Sequence, residues 1–269
     1  MKLSLSGRIF EVDYGYCELS IEEFVALAKD IGYQGVELRR TQVSLDTPAQ
    51  EVSRIGQTVE KAGLEVTCVT TRGVFLKDQE NFELFKKYVR LAEALGSKLI
   101  KTGGDIPWVQ RATDYAAEHE ITLAGNTHIG TPFETVFATL ERLRAINREN
   151  YRLIYDPANL FMAQEEYGVE TIKKLSNYIC YVTVQCPKRI SLEQGEDLFQ
   201  YKGFNYGQGL PGEENTPDFL SVFRGLHEIG YEGWVSIVEP RSTTMESRKL
   251  AKFFYEKLSE IIVSKDAIF

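Results

Sequence analysis

The sequence repeats one short phrase near its two ends. Residues 31–36 read Ile-Gly-Tyr-Gln-Gly-Val, and residues 229–235 read Ile-Gly-Tyr-Glu-Gly-Trp-Val. Each copy follows a stretch with the periodicity of an amphipathic helix and leads into a short apolar stretch that is typical of a strand. Acidic and arginine side chains stand near the end of both apolar stretches. Two such units at opposite ends of one chain predict a closed ring of repeated βα units.

The second copy leads into a predicted strand over residues 234–238, which ends at Glu239, Pro240 and Arg241. Proline lacks the N–H group that a strand needs for further pairing, so the strand is expected to stop there. In parallel α/β folds, the carboxyl ends of the strands carry the reacting groups. The sequence therefore predicts that Glu239 and Arg241 lie at the functional end of the last strand.

Apolar stretches and amphipathic stretches alternate along the whole chain. Capping boxes predict helix starts at Ser20–Glu23 and at Thr131–Glu134. Strands are predicted at 35–38, 65–69, 98–101, 121–125, 151–156, 179–184 and 234–238, after a first strand and loop over 3–12. This pattern predicts a (β/α)8 TIM barrel that forms a single domain over residues 1–269. A doubly wound open sheet is the alternative, but no glycine-rich phosphate loop follows the first strand.

One connection is longer than the others. Residues 186–215 separate the seventh strand from its helix, and they are rich in glycine and carry Phe199, Tyr201, Phe204 and Tyr206. A connection of this length in a compact domain is often a lid or a binding loop. Aromatic residues that only pack on the barrel rim are the alternative interpretation.

Charge and cysteine content limit the partners and the location of the protein. The net charge is −8 and the isoelectric point is near 5.2, so nucleic acid is not an expected partner. No apolar run reaches the roughly 18 residues of a membrane helix, and no membrane association is expected. The four cysteines lack metal-finger spacing, which favours reduced core thiols and a cytoplasmic protein. A homodimer is possible, since barrels of this kind commonly pair.

The predicted strand ends carry many polar side chains that a barrel would aim into one cavity. Such a mouth suits a small polyhydroxylated or anionic molecule better than an apolar one. The residues expected to bind the substrate there are Glu37, Arg39, Lys101, Asn159, Gln185 and Arg241.

These residues also carry a resemblance. The phrase at 230–233 with Glu239, preceded by Gly-Gln-Gly at 207–209, resembles the carboxyl-terminal pattern of the xylose isomerase-like barrels. This superfamily includes sugar-phosphate isomerases and epimerases, tagatose-3-epimerase-like enzymes, and inosose isomerases and dehydratases. The Gly-Val-Glu-Leu stretch at 35–38 is similar to the second strand of that family. The resemblance implies a sugar-like or sugar-phosphate ligand and extends over nearly the whole chain.

The resemblance also implies one divalent metal, held by Glu, Asp, His and Glu from the last four strands. The corresponding positions here are Asn126, Asp156, Thr183 and Glu239, so two of the four usual ligands are retained. The metal affinity is expected to be lower than in the family, because an amide has no charge and the imidazole is missing. Mg²⁺ or Mn²⁺ would suit the oxygen ligands Asn126, Asp156 and Glu239 best.

The same substitutions change the expected chemistry. The family epimerises by passing a proton between two glutamates, and Asn126 has no basicity with which to replace one of them. The candidate catalytic residues are therefore Glu239 as the base, with Asp156 and His128. Two hypotheses follow: a divergent isomerase/epimerase-type enzyme or lyase/dehydratase that moves a proton next to a carbonyl, and a non-catalytic sugar-binding or regulatory barrel. A purely structural role is the alternative for Asp156 and Glu239, in which Arg39 or Arg241 neutralises their charges.

Overall fold

The computed structural model describes residues 1–71, 79–191 and 199–264. Eight parallel strands form a closed barrel, which confirms the predicted (β/α)8 fold. In chain order the strands are β1 (Lys2–Ser6), β2 (Glu11–Val12), β3 (Tyr16–Cys17), β4 (Gly35–Glu37), β5 (Glu65–Thr70), β6 (Leu99–Lys101), β7 (Thr122–Asn126), β8 (Tyr151–Tyr155), β9 (Ile179–Val184), β10 (Pro187–Ile190), β11 (Phe199–Tyr201), β12 (Phe204–Gln208) and β13 (Trp234–Ile237). The order around the barrel is β1-β13-β9-β8-β7-β6-β5-β4, and pairing of β1 with β4 closes it.

Helices follow the barrel strands and cover the outside of the barrel. They are α1 (Ile21–Ile31), α2 (Ala49–Lys61), α3 (Gln79–Leu95), α4 (Ile106–Ala117), α5 (Val136–Ile146), α6 (Pro157–Met162), α7 (Val169–Leu175), α8 (Phe219–Glu228) and α9 (Ser247–Val263), with a 3-10 helix at Gly7–Phe10. None of the helices in the described ranges is both long enough and apolar enough to span a bilayer.

The repeated phrase at the two ends of the chain forms equivalent turns. Gly32 and Gly230 adopt φ values of 112° and 66°, which only glycine accepts without strain. Gly35 begins β4, where an added Cβ would lie 2.5 Å from the Thr67 side chain and 2.9 Å from the Trp234 ring. Because β4 and β13 lie on either side of β1, the two copies occupy neighbouring positions in the barrel.

The interior of the barrel contains a chain of hydrogen bonds instead of purely apolar layers. The Tyr181 hydroxyl bonds with Thr67 Oγ1 at 2.7 Å and donates to Glu37 Oε2 at 3.1 Å. Thr67 Oγ1 also bonds with Ser4 Oγ at 2.9 Å. Ser4, Thr67, Tyr181 and Glu37 are all buried. Their hydrogen bonds therefore connect the middle of the barrel with a carboxylate at its carboxyl end.

Helix α5 begins later than the sequence predicts. The predicted capping box at Thr131–Glu134 is wrong, since α5 starts at Val136 with Thr135 as its N-cap. Glu134 instead accepts hydrogen bonds from the Tyr201 hydroxyl at 2.6 Å and from the Gly130 amide at 2.9 Å, and it pairs with Lys202 at 2.7 Å. These partners hold the pKa of Glu134 at about 2, with the Lys202 hydrogen bond as the largest cause.

The long connection at 186–215 is not simply a loop. Outside residues 192–198, which are not described, it contains the three-stranded antiparallel sheet β10-β12-β11. Phe199 stacks on Tyr206 with ring centroids 5.3 Å apart, and Phe161 on α6 packs against the edge of Tyr206. The aromatic residues of the connection therefore fix this small sheet above α6, and its role as a lid stays a prediction.

Candidate active site

Four neighbouring strands bring polar side chains together at the carboxyl end of the barrel. Asn126 ends β7, Asp156 follows β8, Thr183 lies in β9, and Glu239 follows β13. These strands are adjacent in the order β13-β9-β8-β7. All four side chains are at least nine-tenths buried. We call this end of the barrel interior the bowl and define it by these four residues together with Glu37 and Lys101.

Asp156 is held in one orientation by donors from three directions. Its Oδ2 accepts from Thr183 Oγ1 at 3.0 Å and from Gln185 Nε2 at 3.1 Å. Its Oδ1 accepts from the backbone N–H of Asn159 at 3.0 Å, so the carboxylate also caps the N-terminus of α6. A buried carboxylate with this many donors is stabilised in its place without a positively charged partner.

Glu239 is the most buried acid of the bowl, with 1% of its surface exposed. Its Oε2 accepts from the Cys186 amide at 2.6 Å, and its Oε1 accepts from Gln208 Nε2 at 2.8 Å. Burial raises the pKa of Glu239 to about 7, and nearby Asp156 contributes in the same direction. The two hydrogen bonds and Arg8 oppose this increase, but desolvation is the larger effect.

Gln208 is a site residue that the sequence prediction did not include. It lies at the end of β12, and its Nε2 also donates to the Pro240 carbonyl at 3.0 Å. The small outer sheet therefore contributes directly to the environment of Glu239. The Gly-Gln-Gly phrase at 207–209 was the available sequence signal, because a polar residue between two glycines has little packing role of its own.

The opposite side of the bowl contains Glu37 and Lys101. Glu37 is 4% exposed and accepts from the Tyr181 hydroxyl and, at 3.5 Å, from Ser6 Oγ. Lys101 ends β6, which lies four strands from β13 in either direction around the barrel. Lys101 therefore stands across the bowl from Glu239.

Three predicted site residues do not join this group. Arg39 pairs with Glu11 at 3.3 Å, and Arg241 pairs with Glu18 at 2.5 Å. His128 is exposed, and its Nδ1 lies 2.8 Å from the Ile129 carbonyl oxygen. The alternative that Arg39 or Arg241 neutralises Asp156 and Glu239 is not what the contacts show, because both arginines are paired with other acids.

One amide side chain in the bowl, Asn126, and one beside it on α6, Asn159, have unused polar atoms. Asn126 Oδ1 and Asn159 Nδ2 are buried, and neither has a hydrogen-bond partner among the residues that the structure describes. Asn159 Oδ1, in contrast, accepts from the Ile129 amide at 3.2 Å. A buried polar atom without a partner is costly, so these two atoms are available to hydrogen-bond a polar ligand.

The ligand positions do not fit the divalent metal that the family resemblance implied. Within residues 1–71, 79–191 and 199–264, no group of three or more His, Cys, Asp or Glu side chains is placed to hold a metal. The oxygens of Asp156 and Glu239 already accept hydrogen bonds, and Thr183 donates to Asp156 instead of offering a lone pair to an ion. The Asn126 oxygen accepts no hydrogen bond from the described residues, but an uncharged amide oxygen beside two hydrogen-bonded carboxylates is a poor donor set for a transition metal.

The family is established by comparison with known proteins. A profile of the xylose isomerase-like TIM barrel family matches residues 25–257, and the chain therefore belongs to that family.

Among curated proteins, an inosose dehydratase of Clostridium botulinum (strain Eklund 17B / Type B) is 30% identical over 125 residues, which are 45% of this chain and 41% of that protein. An inosose dehydratase of Geobacillus thermodenitrificans (strain NG80-2) is 25% identical over 177 residues, which are 64% of this chain and 56% of that protein. The matched segments thus span about half the length of these relatives.

Solved structures share the fold at low sequence identity. The probable 3-DHS dehydratase AsbF from Bacillus anthracis has a TM-score of 0.74 at 18% identity, with 96% of this chain and 99% of that chain covered. A D-psicose 3-epimerase solved in the presence of D-fructose has a TM-score of 0.75 at 11% identity, with 98% and 99% covered. The IOLI protein, solved with a bound zinc atom, has a TM-score of 0.73 at 15% identity, with 97% and 98% covered.

Proposed function

We propose that this chain is an enzyme that removes a proton next to the carbonyl group of a small polyhydroxylated substrate. One observation carries the proposal: a fully buried carboxylate, Glu239, has its pKa raised to about 7 at the carboxyl end of the last barrel strand. A general base works best when its pKa lies near the working pH. Glu239 meets this condition, and the family to which the chain belongs contains enzymes of the isomerase, epimerase and dehydratase types.

A single base favours elimination of water over two-base epimerisation. Epimerisation by two residues needs a second base on the opposite face of the substrate, and Asn126 occupies the position that would supply it. In an elimination, Glu239 can take the proton from one carbon and return it to the hydroxyl that leaves the next carbon. The names of the curated relatives, which are inosose dehydratases, are in line with this choice. One-base isomerisation is the second candidate.

The charges of the bowl favour a neutral substrate over a sugar phosphate. Glu37, Asp156 and Glu239 are buried carboxyl groups that would repel a phosphate, and they outnumber the cation Lys101 in the bowl. The arginines expected to bind it, Arg39 and Arg241, are occupied by ion pairs outside the bowl. A neutral polyol can instead use the free atoms of Asn126 and Asn159, one as an acceptor and one as a donor.

The test is exchange of the substrate proton with solvent. The chain is incubated in D2O with neutral polyhydroxylated ketones (an inosose, D-psicose and D-fructose) and with 3-dehydroshikimate, and NMR follows deuterium incorporation and loss of water. We expect turnover of a neutral ketone that Glu239→Gln abolishes, while Glu120→Gln at the other end of the barrel leaves it unchanged. Circular dichroism checks that both variants fold.

A non-catalytic sugar-binding barrel is the competing function, and the missing imidazole and second acid at Thr183 and Asn126 are the observations in its favour. It predicts no exchange with any compound of the panel, and ligand affinity that stays within a few-fold in Glu239→Gln. Exchange that persists in Glu239→Gln would overturn the role of Glu239 itself.

A further inference from the structure

Lys101 faces the interior of the barrel. Leu99, two residues earlier in β6, packs inside the barrel with Cys68, Ala124 and Tyr181. Side chains two positions apart on a strand point to the same face, so Lys101 lies on this interior face, one layer closer to the bowl. Its side chain is half-buried. The long aliphatic part of lysine can pass the apolar layer while the amine reaches the bowl.

The amine of Lys101 differs from the other cations near the bowl because no residue among 1–71, 79–191 and 199–264 holds it. It forms no hydrogen bond or ion pair with any residue in the described parts of the chain. The neighbouring arginines are held by acids or by an aromatic ring: Arg8 by Glu11 and Tyr14, Arg39 by Glu11, and Arg241 by Glu18.

The surroundings of Lys101 suit the positively charged nitrogen of an iminium. The buried thiol of Cys68 is acted on electrostatically by both Glu37 and Lys101, in opposite directions, so the three groups lie near one another. Glu37 keeps its position through Tyr181 and Ser6 and forms no ion pair with Lys101. A carboxylate that lies near a cation without pairing with it stabilises the charge and leaves the nitrogen accessible to a substrate.

Removal of a proton next to a carbonyl leaves an electron pair that must be stabilised. A metal commonly does this, but the donor set around Asp156 and Glu239 does not fit one. A lysine that condenses with the carbonyl group does the same, because the iminium carbon–nitrogen bond accepts the electron pair. Lys101 stands opposite the proposed base, so a substrate between them would contact both.

We propose that Lys101 forms an iminium bond with the carbonyl carbon of the substrate, a role that rests on the proposed function of Glu239. The ammonium first loses a proton to solvent, and the free amine attacks the carbonyl carbon. The carbonyl oxygen takes up protons and leaves as water, which produces the protonated iminium. Glu239 then removes the proton from the adjacent carbon, and the electron pair moves into an enamine.

The enamine expels the hydroxyl group of the next carbon, which leaves as water with the proton from Glu239. A water molecule then adds to the unsaturated iminium, breaks the carbon–nitrogen bond and releases Lys101. One water is lost when the iminium forms and one is consumed when it is hydrolysed. The net change is therefore loss of one water from the substrate, without any oxidant or reductant.

The experiment traps the iminium by reduction. The full chain is mixed with dihydroxyacetone as a neutral carbonyl probe, sodium borohydride is added, and peptide mass spectrometry locates the resulting secondary amine. Lys98 is the matched control, because it directly precedes β6 at the opposite end of the barrel and pairs with Glu120 at 3.4 Å. We expect roughly tenfold or more label at Lys101 than at Lys98, since the bowl positions the carbonyl next to the amine.

Two variants separate covalent from electrostatic action. Lys101→Arg keeps the charge and Lys101→Ala removes it, and the covalent role predicts that both lose turnover and that the bowl is no longer labelled. Turnover retained in Lys101→Arg, or equal labelling of Lys98 and Lys101 in the wild type, would overturn the proposal.

Labelling and turnover also distinguish this proposal from the proposed function. Iminium formation precedes proton removal, so Glu239→Gln should still be labelled at Lys101 although it does not turn over substrate. Label at Lys101 in a wild-type protein that exchanges no proton would support the iminium and refute the proposed function. Proton exchange without label at Lys101 would support the proposed function and refute the iminium.

Discussion

Replacement of Glu239 by glutamine is expected to change how stability depends on pH. Burial raises the pKa of Glu239 from its ordinary value of 4.5 to about 7. In the unfolded chain the group is exposed and releases its proton near the ordinary value. Between these two pH values the folded protein therefore still holds a proton that the unfolded chain has lost.

The size of the effect follows from this difference in pKa. Each pKa unit corresponds to about 1.4 kcal/mol, so the difference between pKa values of 4.5 and about 7 gives about 3–4 kcal/mol. The unfolded state binds fewer protons in this window, and the free energy of unfolding decreases as the pH rises. The contribution is complete below pH 4.5 and is lost once the pH passes about 7. Glutamine does not titrate and removes this term.

The assay is urea denaturation of the wild type and Glu239→Gln from pH 4.5 to pH 8.5. We expect the stability difference to move by about 3–4 kcal/mol in favour of the glutamine variant as the pH rises. Glu120→Gln, which removes an exposed acid, serves as the control. A difference that stays constant across the range would show that Glu239 titrates near its ordinary value, and the argument for a base poised near neutral pH would fail.

Three further changes test other parts of the structure. Glu134→Gln should loosen the contact with Tyr201 and Lys202 and increase amide hydrogen exchange at 199–208; unchanged exchange there would contradict the role of this contact. Asn126→Glu combined with Thr183→His should create zinc binding measurable by calorimetry, and a variant that binds zinc no better than the wild type would contradict the ligand-set argument. Gly125→Ala should cost about 1–3 kcal/mol in urea denaturation, because its Cβ would lie 2.5 Å from the Phe133 ring; Gly15→Ala, where the nearest atom is 3.5 Å away, is the control.

Local patterns were sufficient to predict most of the barrel. The capping box at Ser20 is present, and the predicted strands near 35, 65, 98, 122, 151, 179 and 234 all exist. These features depend on neighbouring residues alone. The start of α5 was mispredicted because Glu134 interacts with Tyr201 and Lys202, about seventy residues later in the chain. No local pattern contains that partner.

The site was predictable only to the level of strand ends. The order of the strands brings Asn126, Asp156, Thr183 and Glu239 together, as their positions after apolar stretches indicated. Which charges remain free could not be read from the sequence. Arg241 lies shortly after the end of the last strand at Ile237 but reaches outward to Glu18, and Gln208 enters the site from an outer sheet. Both outcomes depend on the paths of connections, which residue spacing does not encode.

The hydrogen-bonded chain through Ser4, Thr67, Tyr181 and Glu37 has a consequence for how the barrel can evolve. Loss of the Tyr181 hydroxyl would remove the shorter of the two hydrogen bonds to Glu37 and one contact of Thr67, which keeps Ser4, so we expect replacement of Tyr181 alone to cost more than replacement of the whole set. Homologues should therefore carry either all four polar residues or an apolar set of matching volume. A lineage in which Tyr181 becomes phenylalanine should have lost the acid at position 37 as well, and with it the negative charge near Lys101 on β6.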